Sequence, residues 1–372
     1  MTARCPACGT FAAESDRFCE ECGRQLGVQR IALPPTAAPA VASDNTRPTS
    51  LARPATGTVA RYTGTTLSYD SETSPACDGC GGTHFDGDGF CVVCGQRARE
   101  HDRFEADLGA TVLITDRGNV HAHNEDAIAA AVLESANPGT PPALVLSVCD
   151  GVSTSEDPQA ASGTAVRTGV DSTLTALAAA RPAEEAIMVG LAAAAQAVRD
   201  IGTPDGRSPS CTYVGAIVQF DDAGGARLTV ANVGDSRAYW LAAENGSQRL
   251  TVDDSLAQAM VETGAMDEEA AMDTPHAHVL TRWLGADSEK QSWSDNCVQT
   301  LHVRAPGVLL ICSDGLWNYL PEAAGLAQLA LASAPLEAAR ALVDYALAAG
   351  GKDNITVALV PVPFSELIGE AL

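Results

Sequence analysis

Ala143-Leu-Val-Leu-Ser-Val-Cys-Asp-Gly151 is an unbroken apolar run that stops abruptly at an acid and a glycine. A run of mostly branched residues closed by Asp-Gly reads as a strand buried on both faces, with Asp150 where the backbone leaves the sheet. The pattern recurs along the chain. Gly307 to Gly315 closes with Asp314, Arg227 to Asp235 closes with Asp235, and Asp353 stands just before the apolar stretch Ile355 to Val360. One carboxylate at a strand end is commonly a turn former. Four of them beside central strands read as an acidic cluster, and clustered carboxylates repel unless hard divalent cations bind them through oxygen.

Outward from that stretch, strands and helices alternate in groups. Strands are expected at 110–114, 127–133, 212–220, 227–233 and 236–242, with a hairpin turn at Glu244-Asn-Gly246. Ala-rich helices are expected over 158–180 and 182–201, a helix capped by Asp254 over 254–264, and a further pair over 321–333 and 335–349. Strands in antiparallel runs, with helices arriving in pairs, predict an α+β fold. Its form is an antiparallel β-sandwich flanked by helix pairs, a four-layer αββα arrangement. A doubly wound parallel sheet would need a helix after nearly every strand.

The first hundred residues are of another kind. Eight of the twelve cysteines lie before residue 95, as Cys5-x-x-Cys8, Cys19-x-x-Cys22, Cys77-x-x-Cys80 and Cys91-x-x-Cys94, each followed by glycine. The second set is the first displaced by 72 residues, with ten residues between knuckles in both, so this is an internal repeat. Two Cys-x-x-Cys-Gly turns aim four thiolates at one centre, the tetrahedral sulfur site of structural Zn²⁺. Two small zinc ribbons are therefore expected, at 1–25 and 75–97, too small to fold without metal. Residues 26–74 turn to Pro, Ala, Thr and Ser without periodicity and read as a flexible linker. The large domain is expected over 104–364.

A formal charge of −24 argues against a nucleic-acid partner, since gripping a phosphate backbone takes Lys and Arg. No charged n-region followed by an apolar stretch opens the chain, and no run of about 18 apolar residues occurs, so neither a signal peptide nor a membrane span is expected and the location reads as cytoplasmic. Cys149, Cys211, Cys297 and Cys312 lie in or beside strand-like runs and read as buried small hydrophobes.

Seven motifs taken in order resemble one family, the PPM-type metal-dependent protein serine/threonine phosphatases (protein phosphatase type 2C). They are Asp116-Arg-Gly, Asn124-Glu-Asp126, Cys149-Asp-Gly151, Asn232-Val-Gly-Asp-Ser-Arg237, Leu280-Thr-Arg-Trp-Leu-Gly285, Cys312-Ser-Asp-Gly-Leu-Trp317 and Lys352-Asp-Asn-Ile-Thr-Val357, and they span about residues 108 to 362. The resemblance implies hydrolysis of phosphoserine and phosphothreonine on proteins by a hydroxide bridging two Mn²⁺ or Mg²⁺ ions, opposing a serine/threonine kinase pathway. It assigns Asp150 as the bridging ligand, with the Gly151 carbonyl, Asp314 and Asp353 completing the pair, Asp126 and Glu125 on metal-bound waters, and Asp235 in a weak third site.

Three positions depart from the family pattern. His121 stands where an arginine usually grips the substrate phosphate, with Arg117 the nearest substitute. Val152-Ser-Thr154 offers no positioned general acid. Asn318 replaces an acid of the third metal site. His276 and His278 fall in a flap segment, where Trp283 reads as an anchor. The ribbons are expected to dock proteins. The alternative reading is a zinc-ribbon interaction protein whose phosphatase-like domain binds phosphoproteins with impaired catalysis.

Overall fold

The computed structural model describes residues 3–4, 11–12, 61–68, 84, 92–95, 103–134, 143–201, 208–221, 223–243, 246–288 and 292–362. The chain opens with a short antiparallel ladder, β1 (Ala3–Arg4) on β2 (Phe11–Ala12). Next come β3 (Arg61–Ser68), β4 (Arg103–Asp107), β5 (Val112–Asp116), β6 (Ala127–Glu134) and β7 (Ala143–Cys149). Two helices follow, α1 (Pro158–Ala178) and α2 (Ala183–Arg199), then β8 (Ser210–Cys211), β9 (Tyr213–Phe220), β10 (Ala226–Val233), β11 (Arg237–Ala242) and β12 (Gln248–Arg249). The short helices α3 (Leu256–Glu262) and α4 (Glu268–Met272) precede β13 (Leu284–Gly285), β14 (Val298–Val303) and β15 (Gly307–Cys312). Finally α5 (Asp314–Trp317), α6 (Ala323–Ala330) and α7 (Pro335–Ala348) lead to β16 (Ile355–Val362).

These strands form two six-stranded sheets, ordered β14-β10-β9-β7-β6-β3 and β12-β11-β15-β16-β5-β4, antiparallel throughout. Alternation of side chains across each strand builds three apolar layers. On β7, Leu144, Leu146 and Val148 face the second sheet, while Val145 and Cys149 face α1 and α2. On β16, Ala358 and Val360 face inward, and Ile355, Val357 and Leu359 meet α6 and α7. The order is helix pair, sheet, sheet, helix pair, as expected. All four cysteines read as small hydrophobes are buried.

Four expectations change. The linker expected over 26–74 contains a strand, because Arg61–Ser68 pairs antiparallel with Ala127–Glu134 at the edge of the first sheet. The large domain therefore draws on residues well before 104, and Arg103–Asp107 is an edge strand of the second sheet. Asp254 is not the cap of α3: Ser255 Oγ accepts from the Gln258 N–H at 3.2 Å, while Asp254 accepts from the Gly234 N–H and from Arg282. β8 and β13 form an unforeseen two-stranded ladder.

Of the zinc-ligand cysteines, Cys5, Cys8, Cys19, Cys22, Cys77, Cys80 and Cys91 lie outside the described residues; Cys94 closes an exposed turn in which the Val92 N–H donates to the His84 carbonyl at 3.0 Å. Among the described residues, no helix is long and apolar enough to cross a membrane.

Candidate metal centre

Register explains why the acids meet. In the first sheet Ala127 lies opposite Cys149 and Val233 opposite Tyr213. In the second, Cys312 lies opposite Arg237 and Val357, and Asp116 opposite Ile355. The residues just beyond those strand ends are Asp126, Asp150, Asp235, Arg117, Asp314 and Asp353, so both sheets deliver them to one end of the sandwich.

Hydrogen bonds stitch the two ends together. Ser313 Oγ donates to Asp126 Oδ2 at 2.6 Å, and the Thr212 and Ser236 hydroxyls meet at 2.7 Å. The buried Asn354 accepts from the Glu125 N–H at 2.7 Å and donates to the carbonyls of Arg117 at 2.7 Å and His123 at 3.1 Å. Asn124 joins Thr115 and the Asp126 N–H in the same way. Sequence reasoning gave Ser313, Asn354 and Asn124 no individual role, although all three lie inside quoted motifs. Their signal is a small hydrogen-bonding side chain beside an acid at a strand end.

The cluster is rich in negative charge that the fold itself leaves unmatched. Burial, reinforced by Asp126, Asp314, Asp353 and Asp235, raises the Asp150 carboxyl well above the carboxylate range. Burial first, then the Asp353 and Asp314 charges, push Asp126 up to about 7 against the hydrogen bonds from Ser313 and Thr356. Burial and the Asp353 charge push Asp314 up to about 6. Oδ1 of Asp126 and Oδ1 of Asp314 are buried without a hydrogen-bond partner. A site that holds on to protons and orphans carboxylate oxygens has an unmet demand for positive charge, which hard dications with oxygen ligands meet. The residues present fit such ions.

Backbone geometry tightens the frame. Gly118 has φ of +75°, and a Cβ there would lie 2.1 Å from the Asp353 carbonyl oxygen, so only glycine lets this turn pass. At the rim, His121 Nε2 stands 3.3 Å from Asp353 Oδ1, and Arg117 donates to the His121 carbonyl. The Ser153 hydroxyl donates to Glu125 Oε2.

On the Asp235 side lies a different environment. Asp235 is 5 % exposed, its carboxyl raised by burial and by Asp314 and Asp253. The neighbouring Arg237 is locked to Asp253 by Nε at 3.0 and 3.1 Å and Nη2 at 2.6 Å. Its guanidinium lies 3.5 Å above the Trp317 ring. Trp317 Nε1 donates to the Asp235 carbonyl at 2.9 Å, and the His278 ring stands 5.7 Å from the Trp317 ring, tilted by 32°. Asp235, His278 and Asp314 each present a ligand atom, all within 4.8 Å of one another. Asn318, in the position of the family's acid, donates to Asp314 Oδ2 at 3.0 Å. Trp283, expected as an anchor, bonds through Nε1 to Asp287 at 2.9 Å, and His276 is exposed.

Comparison with known proteins follows the same division of the chain. A zinc-ribbon domain model matches residues 1–26. The serine/threonine phosphatase stp of Listeria welshimeri is 32% identical over 257 residues, which is 66% of this chain and 93% of that protein. The crystal structure of the PPM Ser-Thr phosphatase MsPP from Mycobacterium smegmatis, in complex with cacodylate, shares 27% identity and a TM-score of 0.50, covering 68% of this chain and 99% of that one. The serine/threonine phosphatase Stp1 of Staphylococcus aureus shares the fold at a TM-score of 0.55 with 22% identity, covering 68% of this chain and 94% of that one. Two sheets between helix pairs, acids gathered at one end of them, and a relative matched over nearly its whole length lead to one conclusion: the chain belongs to the PPM family of serine/threonine protein phosphatases.

Proposed function

We propose that the sandwich hydrolyses phosphoserine and phosphothreonine on proteins with two Mn²⁺ or Mg²⁺ ions held by Asp150, the Gly151 carbonyl, Asp314 and Asp353, with Asp126 and Glu125 bordering the pair. The observation that carries this is the buried carboxylate group whose Asp126 Oδ1 and Asp314 Oδ1 have no partner. Bound there, divalent cations supply a lower pKa for water and positive charge against the phosphoryl oxygens. The chain's own groups do the rest. Ser313 fixes one oxygen of Asp126 and leaves the other without a partner. Arg117 positions the loop that brings the His121 imidazole to the rim, where a phosphate oxygen can accept from it. Burial pushes the Cys149 and Cys312 thiols far up, so neither serves as a nucleophile.

The test is hydrolysis of a phosphothreonine peptide by the full chain with Mn²⁺, with chelator, and as Asp150→Asn. Turnover should need Mn²⁺ and fall by about three orders of magnitude or more in the variant, as when a group central to the transition state is lost. Undiminished turnover by Asp150→Asn would sink the assignment.

The ribbons, in this reading, dock phosphoproteins of a kinase pathway, with the intervening chain giving the first one reach. Thiolate knuckles persist as metal ligands where thiols stay reduced, which fits the cytoplasm. Replacing Cys5 and Cys8 by Ser should leave turnover of a short phosphopeptide unchanged and slow that of a phosphoprotein partner. Equal slowing of both would argue against docking.

A further inference from the structure

We propose that Arg103, which lies outside the family motifs, is a positioning residue for the metal end of the sandwich. It acts through the buried Asp116 on the turn that leads to His121 and packs against Asp353. The inference rests on the reading of Asp353 and His121 as parts of the metal and phosphate sites, and adds to it the side chain that keeps both in place.

Topology brings Arg103 to that end. β3 finishes at Ser68, opposite Ala127, the residue after Asp126. β4 begins at Arg103, opposite Asp116, the residue before Arg117. Residues 69–102, whose sequence includes the second pair of knuckles, therefore leave and rejoin the sandwich at its metal end. Arg103 is the first residue of β4 on the return.

There the guanidinium meets a fully buried carboxylate. Arg103 Nε donates to Asp116 Oδ2 at 2.7 Å, and Nη2 donates to Asp344 Oδ1 on α7 at 2.8 Å. The other oxygen of Asp116, Oδ1, accepts from the Gly118 N–H at 2.8 Å. A buried carboxylate stripped of its cation is strongly unfavourable. Arg103 thus fixes the group that closes the turn.

The turn in its place is locked to the loop that carries Asp353. The Asn119 N–H donates to the Gly351 carbonyl at 2.7 Å, and its amide donates to the Leu347 and Gly350 carbonyls, each at 3.0 Å. From the other side, Asn354 Nδ2 holds the Arg117 carbonyl. Gly118 is pressed so closely on the Asp353 carbonyl oxygen that a Cβ would stand 2.1 Å from it. A shift of Asp116 therefore moves His121 and Asp353 together.

A second ion pair on the same strand supplies the control. Arg340 of α7 grips Glu105 of β4 with Nε at 3.2 and 3.1 Å and Nη2 at 2.7 Å, and also bonds Glu337. It ties β4 to α7, as Arg103 does through Asp344, but its partners lie away from the turn.

The experiment compares variants of the full, zinc-loaded chain by three measurements. These are Mn²⁺ affinity, hydrolysis of a phosphothreonine peptide at saturating Mn²⁺, and hydrogen exchange over residues 117–121 before Mn²⁺ is added. Arg103→Met should quicken exchange at Gly118 and Asn119 and weaken Mn²⁺ by about tenfold, the scale on which a partner behind a ligand acts. It should raise KM several-fold and change kcat less, since the loss falls on docking of the phosphate. Arg103→Lys, which keeps a charge beside Asp116, should recover most of the loss. Asp116→Asn breaks the same link while keeping an oxygen for the Gly118 N–H and leaving Arg103 its Asp344 partner. It strands no buried carboxylate and should show the same shifts in smaller measure even if Arg103→Met does not fold. Arg340→Met should lower Tm and leave all three measurements as in the wild type. Equal effects of Arg340→Met and Arg103→Met would overturn the proposal, as would unchanged Mn²⁺ affinity and KM in both Arg103→Met and Asp116→Asn. A wild type that neither binds Mn²⁺ nor turns over the peptide would refute the reading of the site instead. Exchange at Gly118 would then decide the link by itself, faster exchange in Arg103→Met upholding it and unchanged exchange refuting it.

Discussion

Two sets of buried charge occupy the same end of the sandwich and are balanced in opposite ways. Asp253 and Arg237 are 6 % and 3 % exposed, yet every contact is matched: the guanidinium bonds both Asp253 oxygens, reaches the Tyr239 hydroxyl at 3.2 Å and lies on Trp317. Burial draws the Arg237 pKa down, and the Asp253 hydrogen bonds and charge outweigh it. Asp126 is as deeply buried at 1 %, but it faces other carboxylates and keeps an orphaned oxygen. A buried acid given its own cation by the fold holds the fold together. A buried acid denied one is poised for a cation from solution.

That contrast predicts opposite signs for similar substitutions. Asp253→Asn strands a buried guanidinium and should cost about 3–5 kcal/mol, lowering Tm by about 10 °C or more for a domain of this size. Arg237→Met combined with Asp253→Leu should recover most of that loss, since removing both partners leaves no unpaired charge. A scan of thermal unfolding with chelator present reads both. If Asp126→Asn destabilises as much as Asp253→Asn, the distinction between the two sets fails.

Asp126→Asn should instead stabilise the metal-free chain at high pH. Asp126 is raised from 3.8 to about 7, so the folded protein binds the extra proton between those values. Its stabilising contribution is complete below about pH 4 and disappears as pH rises through about 7. With chelator, Tm should therefore fall between pH 5 and pH 8, and Asn at 126, which can still accept from Ser313, should flatten that fall by a few degrees. Zinc loss affects both proteins alike, so the difference between them isolates Asp126. A wild-type Tm that rises over the same interval would show that the cluster does not hold its protons.

The sequence made one of these sets visible and hid most of the other. Asp150, Asp235, Asp314 and Asp353 could be read because each adjoins an apolar run long enough to be a strand, and Asp126 through the Asn124-Glu-Asp126 motif; register then does the assembly. Arg237 lay in a motif, but its partner Asp253 lies 16 residues on, and no local pattern links them. His278 was visible only as part of a flap; its neighbours Asp235, Asp314 and Trp317 meet it through tertiary packing alone. β3 was hidden for a related reason. Arg61-Tyr-Thr-Gly-Thr-Thr-Leu-Ser68 sits in a Pro/Ala/Thr-rich region and gains its meaning from the free edge of β6. Strand preference depends on what lies alongside. Asp254, read as a cap, was recruited by Arg282 at 2.7 Å from 28 residues away.

The smallest effect tests the border between the two sets, where a basic side chain meets the cluster without neutralising it. His121 makes a single contact with Asp353 at 3.3 Å from a partly exposed position. An imidazole offers a phosphate one donor there, whereas a guanidinium offers a planar fork with permanent charge. His121→Arg should therefore lower KM for a phosphothreonine peptide several-fold, about 1 kcal/mol, with little change in kcat, because the gain is shared by ground and transition states. It should also weaken Mn²⁺ binding slightly by drawing on Asp353. If KM is unchanged while kcat falls, His121 serves the transferring phosphoryl group rather than its docking, and the rim belongs with the functional acids rather than beside them.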